Sequence, residues 1–239
     1  MSSRITPLRL ESFERLPKHA RRCVFWEVDP SALGDSDHLS DPEFEKEAWL
    51  SMVMLEWGSC GQLAVGCDPD RAEDPNDDTP CLGYAFYAPP RAVPRAQRFP
   101  TGPVSPDAVL LTSIGVDSSE EGEALPRHLI AAVVADLVRR GVRALEAFGR
   151  TTEVAQIAGP QACPAELAAT VEAFGECAVE QCVIEADFLQ DNGFEIVARM
   201  HYLNATPESL TVAPKYQWYT MDEGALQQML EGIGERIVF

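Results

Sequence analysis

The chain has 239 residues, 46% of them hydrophobic, with 38 acidic side chains against 19 lysines and arginines and a formal net charge of −19. That charge repels a polyphosphate backbone and argues against a nucleic-acid partner, and no apolar run approaches the roughly 18 residues a bilayer span needs. The Met-Ser-Ser-Arg start lacks a secretory pattern, and the seven cysteines (23, 60, 67, 81, 163, 177 and 182) form no Cys-x-x-Cys pair. Reduced thiols and a cytoplasmic location are therefore expected. Four scattered histidines (19, 38, 128 and 201) give no support to a metal centre.

In chain order, Ile5–Leu8 reads as a short strand, the Glu11–Ala20 region as a helix and Cys23–Val28 as a second strand. A polar stretch at 30–41 leads into a helix from Pro42 to Trp57. Gln62–Cys67 and Cys81–Ala88 read as an antiparallel pair. The acidic connection 68–80 lacks the glycine and terminal glutamate of a calcium loop, so a solvated loop is expected there. Six prolines from Pro89 to Pro106 predict an extended connection, not a helix. Its arginines, Arg91, Arg95 and Arg98, could reach a phosphate; pairing with surface carboxylates is the preferred reading.

Val109–Val116 is an apolar, β-branched run and reads as a buried strand. After a polar turn, Leu125, Leu129, Val133 and Leu137 recur every fourth residue, the stripe of a helix packed on a sheet. Gly141 follows Arg139 and Arg140 as a terminating glycine. A strand that turns tightly into a helix N-terminus aims several N–H groups at one place, which favours an anion. Arg143–Gly149 reads as the next strand and Thr151–Gln181 as an insertion with a helix near Pro164–Phe174. Ala186–Val197 reads as a short helix, an Asn-Gly-Phe corner and a strand. Ser209–Val212 and Tyr216–Tyr219 are further strand candidates. A closing helix at 222–236 gathers Leu226, Leu230 and Ile233 on one side, a face that could pack on the sheet or on a second subunit as a homodimer. The expectation is one domain over 1–239 of the α/β class (an α+β mixed sheet), with an insertion at 151–181 and a helical extension at 222–236.

The segment around Gly122 resembles the acyl-CoA-binding motif of the GNAT N-acetyltransferase superfamily, in which a strand ending in valine runs through Arg/Gln-Gly-x-Gly-x-Gly/Ala into a long helix. Val116 ends the strand, Glu121 stands at the customary Arg or Gln, Gly122 at the first glycine, Ala124 at the second and Pro126 at the third small position. The resemblance spans roughly residues 105–200. It implies a GNAT-like acyl-CoA N-acyltransferase fold, acetyl-CoA as co-substrate, and a small-molecule or peptide amine that attacks the thioester directly. Ile114, Gly115 and Val116 would hold the pantetheine, and the amides of Glu121, Gly122, Glu123, Ala124 and Leu125 the pyrophosphate. The acidic chain would attract a cationic amine, although such charge also serves solubility alone.

Three departures oppose an ordinary active site. Glu121 and Glu123 put carboxylates where a diphosphate would lie; two like charges 4 Å apart cost about 1 kcal/mol in water and about 4 at an effective dielectric of 20. Both also suit the first turn of a helix, Ser118 and Glu121 forming a capping box. Leu189 stands five residues before Phe194, where the family often places a tyrosine as thiolate acid, and Cys182 stands where an asparagine is common. The catalytic candidates are Glu146 as a base, Cys182 and Tyr84. Each has a plain structural alternative: an outward strand residue, a buried small side chain with no histidine nearby in sequence, and a strand tyrosine. Two functions follow, an acetyl-CoA-dependent N-acetyltransferase and a GNAT-derived binding or regulatory protein without catalysis.

Overall fold

The computed structural model describes residues 2–28, 41–67, 81–98, 103–116, 124–150, 182–202 and 213–221. The expectations for the loops at 30–40 and 68–80, the turn at 117–123, the insertion at 151–181, the strand at 209–212 and the helix at 222–236 lie outside the described residues.

Elements run in the order β1 (Ser2–Pro7), α1 (Lys18–Arg22), α2 (Pro42–Glu56), β2 (Gly61–Cys67), β3 (Cys81–Ala88), β4 (Ala108–Val116), α3 (Ala124–Arg139), β5 (Ala144–Arg150), β6 (Ile184–Glu185), α4 (Ala186–Asp191), β7 (Glu195–Tyr202) and β8 (Ala213–Met221). The strands form one mixed sheet in the order β1-β2-β3-β4-β5-β8-β7, with β6 added on β5. β1 to β4 pair antiparallel, β4 and β5 pair parallel, and β8 returns antiparallel between β5 and β7. The apolar run at Val109–Val116 thus sits at the middle of the sheet, as its composition predicts.

Alternation along the strands divides the core in two. On one face Leu63, Phe86, Leu110 and Phe148 pack with Phe13, Trp26, Trp49 and Leu50 of the N-terminal segment and α2. On the other, Ala85, Tyr87, Val109, Leu111 and Leu145 pack with Leu125, Leu129, Val133 and Leu137 of α3. The last four are at most 1% exposed, and each side chain so buried contributes about 1.5–3 kcal/mol by leaving water. α3 ends as its sequence predicts. Gly141 takes φ +73°, Val142 N–H returns to the Leu137 carbonyl at 3.0 Å and Gly141 N–H to Val138 at 3.0 Å, so the last carbonyls are satisfied. A buried network pins that end: Tyr87 Oη donates to Asp136 Oδ2 (2.8 Å), Gln62 Nε2 donates to Tyr87 Oη (2.9 Å), and Arg140 bridges Asp136 to the carbonyls of Trp57 and Ser59.

Three local expectations are corrected. The Glu11–Ala20 helix is a 3-10 turn, Leu10–Arg15, and the short α1, separated because Leu16 precedes Pro17 and adopts extended backbone (ψ 146°). Cys23–Val28 is not a strand: its aromatics are buried through a turn. Phe25 and Trp26 pack edge to face, Trp26 stacks on Phe148 at 5.6 Å, and its Nε1 donates to the Cys182 carbonyl at 2.9 Å. The proline-rich connection holds 3-10 turns at Pro90–Ala92 and Pro94–Arg98. Arg95 is buried, donates through Nε to the Phe25 carbonyl and lies 4.3 Å from that ring.

Candidate functional site

The site begins with a break in the ladder. β4 pairs with β5 over four residues only, Ala108 with Ala144 through Leu111 with Ala147. At that point the register between β3 and β4 jumps from Tyr87–Leu111 to Phe86–Ser113, so Thr112 is an extra residue in β4, a bulge that bends and twists the strand. The hydroxyl of Thr112, 1% exposed, donates to the Phe86 carbonyl at 3.1 Å, so the irregularity leaves that acceptor satisfied. Beyond the bulge β5 continues with a different neighbour, Gly149 and Arg150 pairing with Ile184 and Glu185 of β6. The edge of Ser113–Val116 that would face β5 has no ladder partner among the described residues.

A pocket of about 320 Å³ opens in this gap, lined by Ser113, Ile114, Gly115 and Val116 on one side and by Arg150, Cys182–Glu185 and Phe188 on the other, with Pro126 of α3 at its rim. This is the size of a small-ligand pocket. Its walls are backbone-rich and mostly apolar, with one cation. Arg150 is 7% exposed; its Nε donates to the Val183 carbonyl (3.2 Å) and its NH2 to Glu185 Oε1 (2.7 Å), which fixes the guanidinium in the wall. Gly115 is required where it stands. A Cβ there would lie 2.5 Å from Cε1 of the Tyr84 ring, so any side chain would displace the ring or the strand.

On the opposite face a cavity of about 10 Å³ is lined by His19, Cys23, Glu27, Lys46, Tyr84 and Phe86 and shares Ser113 and Cys182 with the larger pocket. Ser113 and Cys182 therefore stand between the two spaces. Lys46 Nζ donates to Glu27 Oε1, both side chains being almost wholly buried, and sits 4.6 Å from the Phe86 ring. Burial pushes the Glu27 carboxyl up from its ordinary value, against the pull of the Lys46 ammonium.

Of the residues singled out by sequence, Ile114, Gly115 and Val116 line the pocket, Ala124 opens α3, and Leu125 turns its side chain into the α3 core. Glu121, Gly122 and Glu123 lie outside the described residues. Glu146 is buried opposite Leu110 on the paired part of β5, where its Oε2 accepts the Ser105 N–H at 3.1 Å; it is not a wall of the pocket. Tyr84 lies against Gly115, and burial, with the Cys23, Cys81 and Cys182 thiols adding to it, raises its pKa, so its phenol stays protonated. Cys182 lies between the two spaces, and the structure brings His19 beside it, a neighbour the sequence separation concealed. Leu189 is fully buried in the α3 core, and Phe194 N–H returns to its carbonyl at 3.1 Å. Sequence reasoning missed Arg150; the signal available was a cation ending an apolar strand in an acidic chain.

No protein-family model matches the chain, and no curated protein matches it in sequence. The chain is similar to solved N-acetyltransferase structures. One is an N-acetyltransferase from Staphylococcus aureus Mu50, at 13% identity, covering 93% of this chain and 99% of that one, with a TM-score of 0.47. A polyamine N-acetyltransferase from Drosophila melanogaster matches at 11% identity over 92% and 100%, TM-score 0.48. The PaiA N-acetyltransferase of Thermoplasma acidophilum, in complex with coenzyme A, matches at 11% over 93% and 99%, TM-score 0.44.

Proposed function

We propose that the chain is an acetyl-CoA-dependent N-acyltransferase acting on an amine, with its site in the gap between β4 and β5. The observation that carries this reading is the loss of ladder pairing beyond the Thr112 bulge. It leaves a strand edge, Ser113–Val116, facing a pocket where an extended pantetheine amide chain finds backbone partners in place of a neighbouring strand. The fit is supported by three features: the backbone edge, an apolar wall at Ile184 and Phe188, and an anchored cation at Arg150 for an anionic ligand. The pyrophosphate is assigned to the segment Glu121–Leu125 entering α3, whose first-turn amides favour an anion.

An acyl-CoA thioester supplies an activated acyl group, so the protein needs to position it, polarise its carbonyl and admit the amine. The N–H groups of Ile114–Val116 serve the first two tasks. Tyr84, kept protonated by burial, serves as a hydrogen-bond donor beside that edge and not as a base. A second reading, a binding module without catalysis, is favoured by Leu189, which fills with an inert, fully buried side chain the place of an expected acid.

Calorimetric titration of the full chain with acetyl-CoA tests the proposal. Saturable one-to-one binding, abolished by Gly122→Val, is expected. Joint replacement Glu121→Arg with Glu123→Gly should tighten binding by about tenfold if the carboxylates repel the diphosphate, with less gain at higher salt. No binding overturns the proposal. Binding without acetyl transfer to any of a panel of primary amines establishes the second reading.

A further inference from the structure

We infer that His19, Cys23 and Cys182 form a binding site for a single Zn²⁺ ion. The inference stands on this cluster and is independent of the acyl-CoA reading. The donor atoms of the three residues all lie within 4.8 Å of one another, and the two sulfurs are 3.4 Å apart. In a tetrahedral site with Zn–S near 2.3 Å and Zn–N near 2.0 Å, donor atoms stand about 3.5–3.8 Å apart. The sulfur pair is thus already spaced for a shared ion, and the imidazole needs to approach by no more than about an ångström.

The scaffold holds these donors for reasons independent of any ion. His19 lies in α1 and Cys23 is its C-terminal cap, its N–H bonded to the His19 carbonyl at 2.8 Å, so the two side chains are one helical turn apart on one face. Cys182 comes from a segment remote in sequence but fixed on both sides: its carbonyl accepts Trp26 Nε1 at 2.9 Å, and the next carbonyl, Val183, accepts Arg150 Nε. Such outer bonds are what keep ligand residues oriented.

The donor set selects the metal. Two thiols and an imidazole suit a borderline-soft ion, whereas calcium and magnesium demand carboxylates and carbonyls. The only carboxylate lining the cavity among the described residues, Glu27, is engaged by Lys46 and by the Trp26 N–H. Binding releases the two thiol protons to solvent, and two thiolates, one neutral imidazole and Zn²⁺ sum to zero charge, which suits a cavity walled by Trp26, Tyr84 and Phe86. The fourth ligand of the tetrahedron would be a water. Two cysteines and a histidine with an open position form a donor set used by catalytic zinc. Ser113 and Cys182 line both this cavity and the larger pocket.

The test is a Zn²⁺ titration of the reduced full chain against a chromophoric chelator, with native mass spectrometry for stoichiometry and Co²⁺ as a spectroscopic probe. One ion per chain is expected, with a thiolate-to-cobalt charge-transfer band and a metal-dependent rise in Tm. Cys23→Ser and Cys182→Ser should each weaken binding at least a hundredfold and remove the rise in Tm, more than the 10–100-fold typical of an outer partner. Cys60→Ser, at a buried position outside the cluster, should leave Zn²⁺ stoichiometry and affinity unchanged. Tm measured with chelator present shows whether the variants fold without metal. The inference is overturned if the reduced parent takes up no Zn²⁺, if Cys182→Ser binds as the parent does, or if the sole response of the pair is a disulfide formed with oxidised glutathione.

Discussion

The two halves of β4 share one strand and differ in nearly every physical respect. From Ala108 to Leu111 it is laddered on β5, with Leu110 and Leu111 also paired to β3, and is fully buried and closed by apolar packing. From Ser113 to Val116 it is laddered on one edge, partly exposed, and backed by a buried ion pair, a tyrosine held over a glycine and a thiol–imidazole cluster. One extra residue, Thr112, divides them. The lesson is that the cooperative half sets stability and position, while the unpaired half keeps backbone polar groups available for a ligand, a division seen wherever sites are placed next to bulges.

The comparison can be broken most forcefully at its charged floor. Lys46→Met should cost about 3–5 kcal/mol, because it leaves Glu27 as an uncompensated buried carboxylate, and adding Glu27→Gln should recover most of the loss. Urea unfolding of the three variants checks this; equal stabilities for Lys46→Met and the parent would mean that the pair is hydrated. In the closed half, Leu111→Ala should cost about 2–5 kcal/mol by leaving a cavity, with acetyl-CoA affinity of the folded fraction unchanged.

Gly115→Ala sharpens the contrast, since it adds one methyl to the open half. A loss of about 1–3 kcal/mol is expected from overpacking against Tyr84, together with loss of acetyl-CoA binding, and the added methyl should cost less in a Tyr84→Ala background than in the parent. Thr112→Val should cost about 1–3 kcal/mol by stranding the buried Phe86 carbonyl.

The smallest effect at neutral pH lies in the alkaline limb. Burial pushes the Cys60 thiol up to about 12 from its ordinary 9.0, and raises Tyr84 and Tyr87 in the same direction. A group whose pKa is higher folded than unfolded contributes stability that is complete below the unfolded value and lost as pH rises toward the folded one. The urea midpoint should therefore fall between pH 9.0 and about 12, and Cys60→Ala should lessen the fall. A midpoint flat across that range would mean that these groups are solvated.

What could be read from the sequence was whatever a period or a terminus encodes. The succession of β4, α3 and β5, the α3 stripe at Leu125, Leu129, Val133 and Leu137, and the Gly141 stop are local patterns, and all are found in the structure. Cys23–Val28 misled because an apolar run of strand length carries no mark distinguishing a buried turn from a strand. The bulge at Thr112 was illegible for a different reason: it is defined by the partner strand's register, which no single segment records. The same holds for His19 with Cys182, joined only because α1 and the lead into β6 meet beneath the sheet.

The central claim is that the unpaired edge of β4 receives the acyl-CoA. Hydrogen–deuterium exchange of the full chain, followed for the amides of Ser113–Val116 with and without saturating acetyl-CoA, tests it most directly. Slower exchange in that segment, with Leu110 and Leu111 unchanged because both their edges are already laddered, is the predicted result. Protection elsewhere with none at Ser113–Val116 would contradict the account.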